Sequence, residues 1–243
     1  MKKILIVLDS CRFDTYLLAN TKLFDEHIGK PIKSYTACNH TLPSFVCFMA
    51  YNRMPHPVDL PNNPKYNKEF NYIKEVKVPR YFLSDNIHLH PLNMPVKGII
   101  DQFKKFKVFE PYYESCSKII NAANKLPLDK NYYLILWFGE THQPFNFNGT
   151  KTKNWKSIKS RIERYNLGKD TISKREMDCI HQRQIDALEY LVKVIWHNFL
   201  KKHKDADIII TSDHGESFGE NHRFGHGCDV HPAQFTVPFV CNR

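Results

Sequence analysis

No apolar run in this 243-residue chain approaches the roughly 20 residues that a membrane-spanning helix needs. A leader peptide is not evident either. Met1–Leu8 offers two lysines followed by Ile4-Leu5-Ile6-Val7-Leu8, shorter than the roughly 7–15 apolar residues of a signal sequence and closed by Asp9 without a small-residue cleavage site. That run reads as a buried strand, and the expected compartment is the cytoplasm. No cysteine pair has the C-x-x-C spacing. The seven cysteines (Cys11, Cys38, Cys47, Cys116, Cys179, Cys228 and Cys241) are scattered and odd in number, which excludes a zinc ribbon and favours reduced thiols. Repeats, low-complexity tracts and a linker isolating a second unit are also lacking. Hydrophobic residues at 42% and charged residues at 25% are ordinary for a globular protein. A single domain over residues 1–243 is expected, with one sizeable core.

Charge is present in excess of one sign, +10 at neutral pH. Such an excess fits a nucleic-acid surface, a membrane surface or attraction of an anionic substrate. Clusters such as Lys104-Lys105-Lys107 and Lys201-Lys202-Lys204 read as solvated faces. Basic motifs interleaved with aromatics and zinc fingers are missing, which disfavours nucleic acid as a partner.

Four apolar runs read as buried strands: Lys3–Leu8, Arg80–Leu83, Tyr132–Phe138 and Asp207–Thr211. Their continuity, without alternation, suits strands covered on both faces of a parallel sheet. Helices are predicted between them at 44–51 and 114–125. A longer one at 173–202 has Ile180, Leu188, Leu191, Val192, Ile195, Trp196 and Phe199 at helical spacing. Ser173 and Glu176 have the spacing of a capping box. The polar segments 53–79 and 145–169 read as long excursions. Strands alternating with helices imply an α/β fold: a mostly parallel central sheet flanked by helices on both faces.

Each long run ends in residues capable of chemistry: Asp9-Ser10, Gly139-Glu140-Thr141-His142 and Asp213-His214. In open α/β sheets the ligand crevice lies beyond the carboxyl ends of the strands, so these groups can converge. Asp9, Asp213 and His214 together suggest a divalent-metal site, since carboxylates gathered in one crevice repel unless a cation joins them. Oxygen ligands with one imidazole suit manganese, zinc or magnesium. Thr41, before a predicted helix, reads either as a helix cap or as a nucleophile beside free backbone N–H groups. The loop from Asp213 to Gly227 holds His214, His222 and His226 with Arg223 among glycines, a set of donors suited to an oxyanion.

These motifs, in this order, resemble the sulfatase and alkaline-phosphatase superfamily. Val7-Leu8-Asp9-Ser10 resembles its opening metal motif. Thr41-Leu42-Pro43-Ser44, continued to Asn52-Arg53-Met54-Pro55, is similar to the sulfatase signature. Thr141-His142-Gln143-Pro144 resembles the family's His-x-Pro motif, and Ser212-Asp213-His214-Gly215-Glu216 with Phe224-Gly225-His226-Gly227 is the most specific match. The similarity is collinear from about residue 3 to 240. It implies Asp9, Thr41, Asp213 and His214 as metal ligands, Thr41 being also the nucleophile. It further implies His142 and His226 as catalytic and substrate-contacting groups, or as ligands of a second metal, with Arg53 and Arg223 as further substrate contacts. The metal is one of manganese, zinc, magnesium or calcium.

The departures shape the expected activity. Sulfatases need Cys or Ser, converted to formylglycine, where Thr41 stands, and Phe45 replaces the signature's arginine. A threonine nucleophile resembles lipoteichoic-acid synthases, phosphoethanolamine transferases and nucleotide pyrophosphatases. The Asp-x-x-x-His motif of two-zinc members has no counterpart, so a single principal metal is expected. The chain reads as a short form lacking most of a C-terminal subdomain. The resulting expectation is a metal-dependent hydrolase or transferase acting on a phosphate ester through a covalent intermediate. A sulfuric ester hydrolase is the alternative of the same fold. A degenerate, non-catalytic anion- or nucleic-acid-binding protein is the alternative of another class. The partner implied is an anionic ester.

Overall fold

The computed structural model describes residues 1–49, 72–90, 97–109, 115–227 and 230–242. Its centre is a seven-stranded sheet in the order β2-β9-β6-β1-β5-β3-β4. The strands are β1 (Lys2–Leu8), β2 (Ile32–Tyr35), β3 (Arg80–Ser84), β4 (Lys105–Val108), β5 (Tyr132–Phe138), β6 (Asp207–Ser212) and β9 (Thr236–Cys241). A two-residue hairpin, β7 (Ser217–Phe218) with β8 (Phe224–Gly225), stands apart from it. Strands β6, β1, β5, β3 and β4 pair in parallel, while β9 is antiparallel to both β6 and β2.

The continuous apolar runs follow from two cores, one on each face. Ile4, Ile6, Leu8, Leu134, Leu136 and Phe138 share one core. Their neighbours Leu5, Val7, Tyr133, Ile135 and Trp137 turn to the other, as the two-residue period of a strand requires. The first core is covered by α1 (Phe13–Leu18), α2 (Lys22–His27), α5 (Ser115–Ala123) and α7 (Lys174–Asn198). The second is covered by α3 (Thr41–Met49) and by residues following α4 (Lys97–Ile100). A third cluster, of Phe145, Ile162, Tyr165, Ile172, Phe218 and Phe224, packs α6 (Trp155–Asn166) onto the β7–β8 hairpin. The last element, α8 (Pro232–Phe235), leads into β9.

Most predicted elements are found, with shifted ends. The long helix starts after Ser173, whose side chain and Glu176 form the reciprocal capping box, and it stops at Asn198 instead of 202. The 145–169 segment is not a bare excursion, because it contains the three-turn α6. Lys105 and Lys107 are exposed, as a solvated face requires, and lie on the edge strand β4. Lysines there also discourage edge-to-edge pairing. Most of the 53–79 excursion, and Arg53 with it, lies outside the described residues. Among the described residues no helix is long and apolar enough to cross a membrane.

Candidate active site

The parallel sheet delivers Asp9, Asp85-Asn86, Gly139-Glu140 and Asp213-His214 from the carboxyl ends of β1, β3, β5 and β6 to one rim. Asp9, Asp213 and His214 are fully buried, and one ligand atom from each lies within 4.8 Å of the others. Thr41 is the first residue of α3 and is 5% exposed. Its Oγ1 sits 3.4 Å from His214 Nε2. Asn86 Nδ2 donates to Asp9 Oδ2 and, at 3.3 Å, to Thr41 Oγ1, tying the nucleophile candidate to the carboxylate.

The donor set fits a divalent cation. His214 Nδ1 faces the Gly215 carbonyl at 2.8 Å, which assigns its proton to Nδ1 and leaves Nε2 a bare lone pair. That lone pair points at Asp213 Oδ2 (3.4 Å) and Asp9 Oδ1 (3.7 Å). Burial, then the charge on His226, holds the His214 pKa well below its usual value, so a proton does not fill the gap. Asp213 Oδ1 accepts from the backbone N–H groups of Ser10 and His214, both at 3.0 Å, whereas Oδ2 is buried without a hydrogen-bond partner. Burial first and Asp9 second raise the Asp213 pKa well above the carboxylate range. Lone pairs converging in a buried space, with one oxygen orphaned, are the arrangement a cation resolves.

The surrounding chain holds these groups by backbone contacts. Ser10 adopts φ +61° so that its N–H reaches Asp213. The buried Gln184 of α7 donates to the carbonyls of Ser10 (3.0 Å) and Thr141 (2.9 Å), clamping two strand ends together. Gly215 permits the closest approach, since a Cβ there would lie 2.0 Å from the Ala233 carbonyl oxygen.

Three further histidines, His40, His142 and His226, stand about the cluster. The His226 ring lies 4.2 Å from that of His214, 5.2 Å from that of His142 and 6.0 Å from that of His40, centre to centre. His226 Nδ1 sits 3.2 Å from both oxygens of the buried Glu216. Burial lowers the His226 pKa, but Glu216, Asp9 and Asp213 outweigh it and bring it to about 9, so the imidazolium is the form at neutral pH. Gly227, at φ +90°, would bring a Cβ within 2.2 Å of His40 Nε2, so glycine lets the two loops touch. His142 Nδ1 is 2.6 Å from the Gln143 carbonyl, leaving Nε2 as its free nitrogen.

On the other side of Asp9, a cleft is lined by Asp85, Asn86, His88, Ser115, Glu140 and His142. Glu140 Oε1 accepts from Ser115 Oγ (3.0 Å) and the Cys116 N–H (2.7 Å), while Oε2 is buried without a partner. Burial, then the charge on Asp85, raises the Glu140 pKa to about 8. Burial, with a contribution from Asp9, raises that of Asp85 to about 6.

Thr41, Asp9, Asp213, His214, His142 and His226 therefore converge. Arg223 does not join them: its guanidinium donates to the Asn166 carbonyl at the end of α6. Glu140 and Glu216 stand within motifs read from the sequence but were given no role there, and His40, Asn86 and Gln184 were not singled out. Only Asn86 and Glu140 carried a signal, each being a polar residue just past a strand end.

No protein-family model matches the chain, and no curated protein matches it. Solved structures do. The soluble domain of lipooligosaccharide phosphoethanolamine transferase A from Neisseria meningitidis aligns with a TM-score of 0.68 at 16% identity, over 99% of this chain and 76% of that one. The phosphonate monoester hydrolase of Agrobacterium radiobacter aligns with a TM-score of 0.64 at 13% identity, over 100% and 68%. A 2-O GAG sulfatase aligns with a TM-score of 0.60 at 14% identity, over 99% and 63%. The architecture that brings four strand ends to one rim is thus the fold shared with these transferase, phosphonate hydrolase and sulfatase structures.

Proposed function

We propose that this chain is a metal-dependent phosphoester hydrolase or transferase that uses Thr41 as nucleophile. One observation carries the reading: a buried threonine hydroxyl at a helix start lies 3.4 Å from a bare histidine nitrogen, beside the orphaned Asp213 oxygen. Asp9, Asp213, His214 and Thr41 Oγ1 would hold the cation. When bound, it supplies Lewis acidity and lowers the pKa of a hydroxyl in contact with it. The residues of the chain do the rest. Asn86 orients the Thr41 hydroxyl, and the Thr41 and Leu42 N–H groups at the start of α3 would receive an incoming anion, Pro43 having no N–H and Ser44 donating to the His40 carbonyl. His226, held protonated by Glu216, sits where negative charge develops and has a proton to give to a leaving oxygen. Attack by Thr41 Oγ1 on phosphorus forms a phosphothreonine and releases an alcohol; water or a second alcohol then takes the phosphoryl group.

A threonine cannot become formylglycine, which favours phosphate over sulfate. The test uses the purified chain with manganese, zinc or magnesium and an aryl phosphodiester, an aryl phosphomonoester and an aryl sulfate. Turnover of a phosphate ester is expected, lost with a chelator and in Thr41→Ala, together with a phosphate adduct on Thr41 in quenched reactions. Full activity of Thr41→Ala sinks the nucleophile assignment, and turnover of the sulfate alone reverses the choice of ester.

A further inference from the structure

The positive charge of this chain is concentrated beside the candidate active site. Residues 151–175 contain nine lysines and arginines against two acidic residues, a net +7 of the chain's +10. Lys153, Lys156, Lys159, Lys169, Lys174 and Arg175 are all exposed, and none has an ion-pair partner among the described residues. Arg161 and Arg164, by contrast, are paired with Glu176 and Asp170. Like charges this dense repel one another, and among the described residues no carboxylate pairs with those six exposed ones. The density is therefore tolerated for an external anion or for solvation alone.

Two further features select among external anions. An open slot of about 250 Å³ between α6 and the start of α7 is lined by Ile158, Ile172, Ile180 and Cys179 together with Arg161, Arg175 and Glu176, the carboxylate being paired with Arg161. Trp155 is half-buried at the first turn of α6, and Leu167 at its end is 67% exposed. A nucleic acid would use exposed aromatic rings for base stacking, whereas the slot and Leu167 are aliphatic and Trp155 is half-buried. A bilayer surface takes both parts, headgroups meeting the lysines and the interface receiving Trp155, Leu167 and the slot. Helix α6 is also fixed to the site: Asn166 exchanges hydrogen bonds of 2.8 Å with Phe224 N–H and carbonyl, two residues before His226. We infer that the face formed by α6 and the first turn of α7 docks this protein on an anionic phospholipid bilayer, bringing its active-site rim close to that surface.

The experiment is vesicle flotation with the full chain at about 0.15 M salt, comparing phosphatidylcholine alone with phosphatidylcholine containing 30–40% (roughly) phosphatidylglycerol. Binding is expected only to the anionic vesicles. The double variant Lys156→Gln/Lys159→Gln should lower the partition coefficient by about 30-fold, since each surface lysine contributes about 1 kcal/mol. Lys201→Gln/Lys202→Gln removes the same charge beyond the opposite end of α7, a 25-residue helix about 37 Å long, and should bind as the parent does. Equal loss in both double variants, with melting points unchanged, reduces the effect to net charge and overturns the docking face. Binding to single-stranded DNA but not to anionic vesicles overturns the choice of partner. Thr41→Ala should float like the parent, so the outcome is independent of the proposed chemistry.

Discussion

Replacing Glu140 with glutamine should stabilise the metal-free protein above neutral pH and flatten its stability profile. Glu140 is buried at 4% exposure, with one oxygen held by Ser115 and Cys116 and the other without a partner. Burial, reinforced by Asp85, moves its pKa from 4.5 to about 8. The folded state therefore holds a proton that the unfolded chain releases. The stability this contributes is complete below about pH 4.5 and is lost as pH rises through about 8. Glutamine keeps the Oε1 acceptor that Ser115 and Cys116 use. It also puts an N–H donor where the orphaned oxygen stands, in the field of Asp85.

At 1.36 kcal/mol per pH unit, ionising such a carboxyl in place corresponds to on the order of 3–5 kcal/mol. For a domain of this size that is about 10 °C in Tm. Thermal melts in chelator at intervals from pH 4.5 to pH 9 should show the two proteins together at the acid end and separating through neutrality. Parallel curves, or a glutamine variant less stable than the parent at pH 9, would refute the reasoning.

Further outcomes follow from other parts of the site and fold. Manganese should raise the parent's melting point, a stabilisation of about 2.7 kcal/mol at a hundredfold excess over Kd, and Asp213→Asn should abolish that rise; a retained rise would exclude Asp213 as a ligand. Glu216→Gln should lower the His226 pKa from about 9, because burial then dominates. His226 is raised in the fold, so its contribution to stability is present below about 6.5 and lost through about 9. An imidazole titration by NMR reads this directly. Leu136→Ala, at a fully buried position of β5 packed in the core, should cost about 2–5 kcal/mol in urea unfolding. Ser173→Ala removes the capping box of α7 and should cost about 1 kcal/mol, measurable in the same unfolding experiment.

What could be read in the sequence, and what could not, divides along a physical line. Asp9 and Asp213 were legible because a parallel sheet aligns strand ends whatever lies between them: β1 and β6 register Leu8 opposite Ser212, so the next residues meet. Ile4–Leu8 and Ile208–Ile210 are apolar without alternation because two cores cover the sheet, and a charged residue soon after such a run stands out. Asn86 obeys the same rule but follows a shorter strand with an unremarked asparagine. Gln184 escapes it altogether, since only the docking of α7 on the sheet brings it to the Ser10 and Thr141 carbonyls. Arg223 shows the converse. It shares a loop with His226, yet a loop does not fix direction, and the Asn166 carbonyl takes its guanidinium. Helix α6 was overlooked although Ile158, Ile162 and Tyr165 stand at steps of four and three. Its apolar stripe is narrow and its outer face carries Lys156, Lys159 and Arg164 among Ser157, Ser160 and Glu163, so composition outweighed period. The face that hid the helix is the one now assigned to an anionic surface, because charge that serves no partner inside the fold leaves the weakest folding signal.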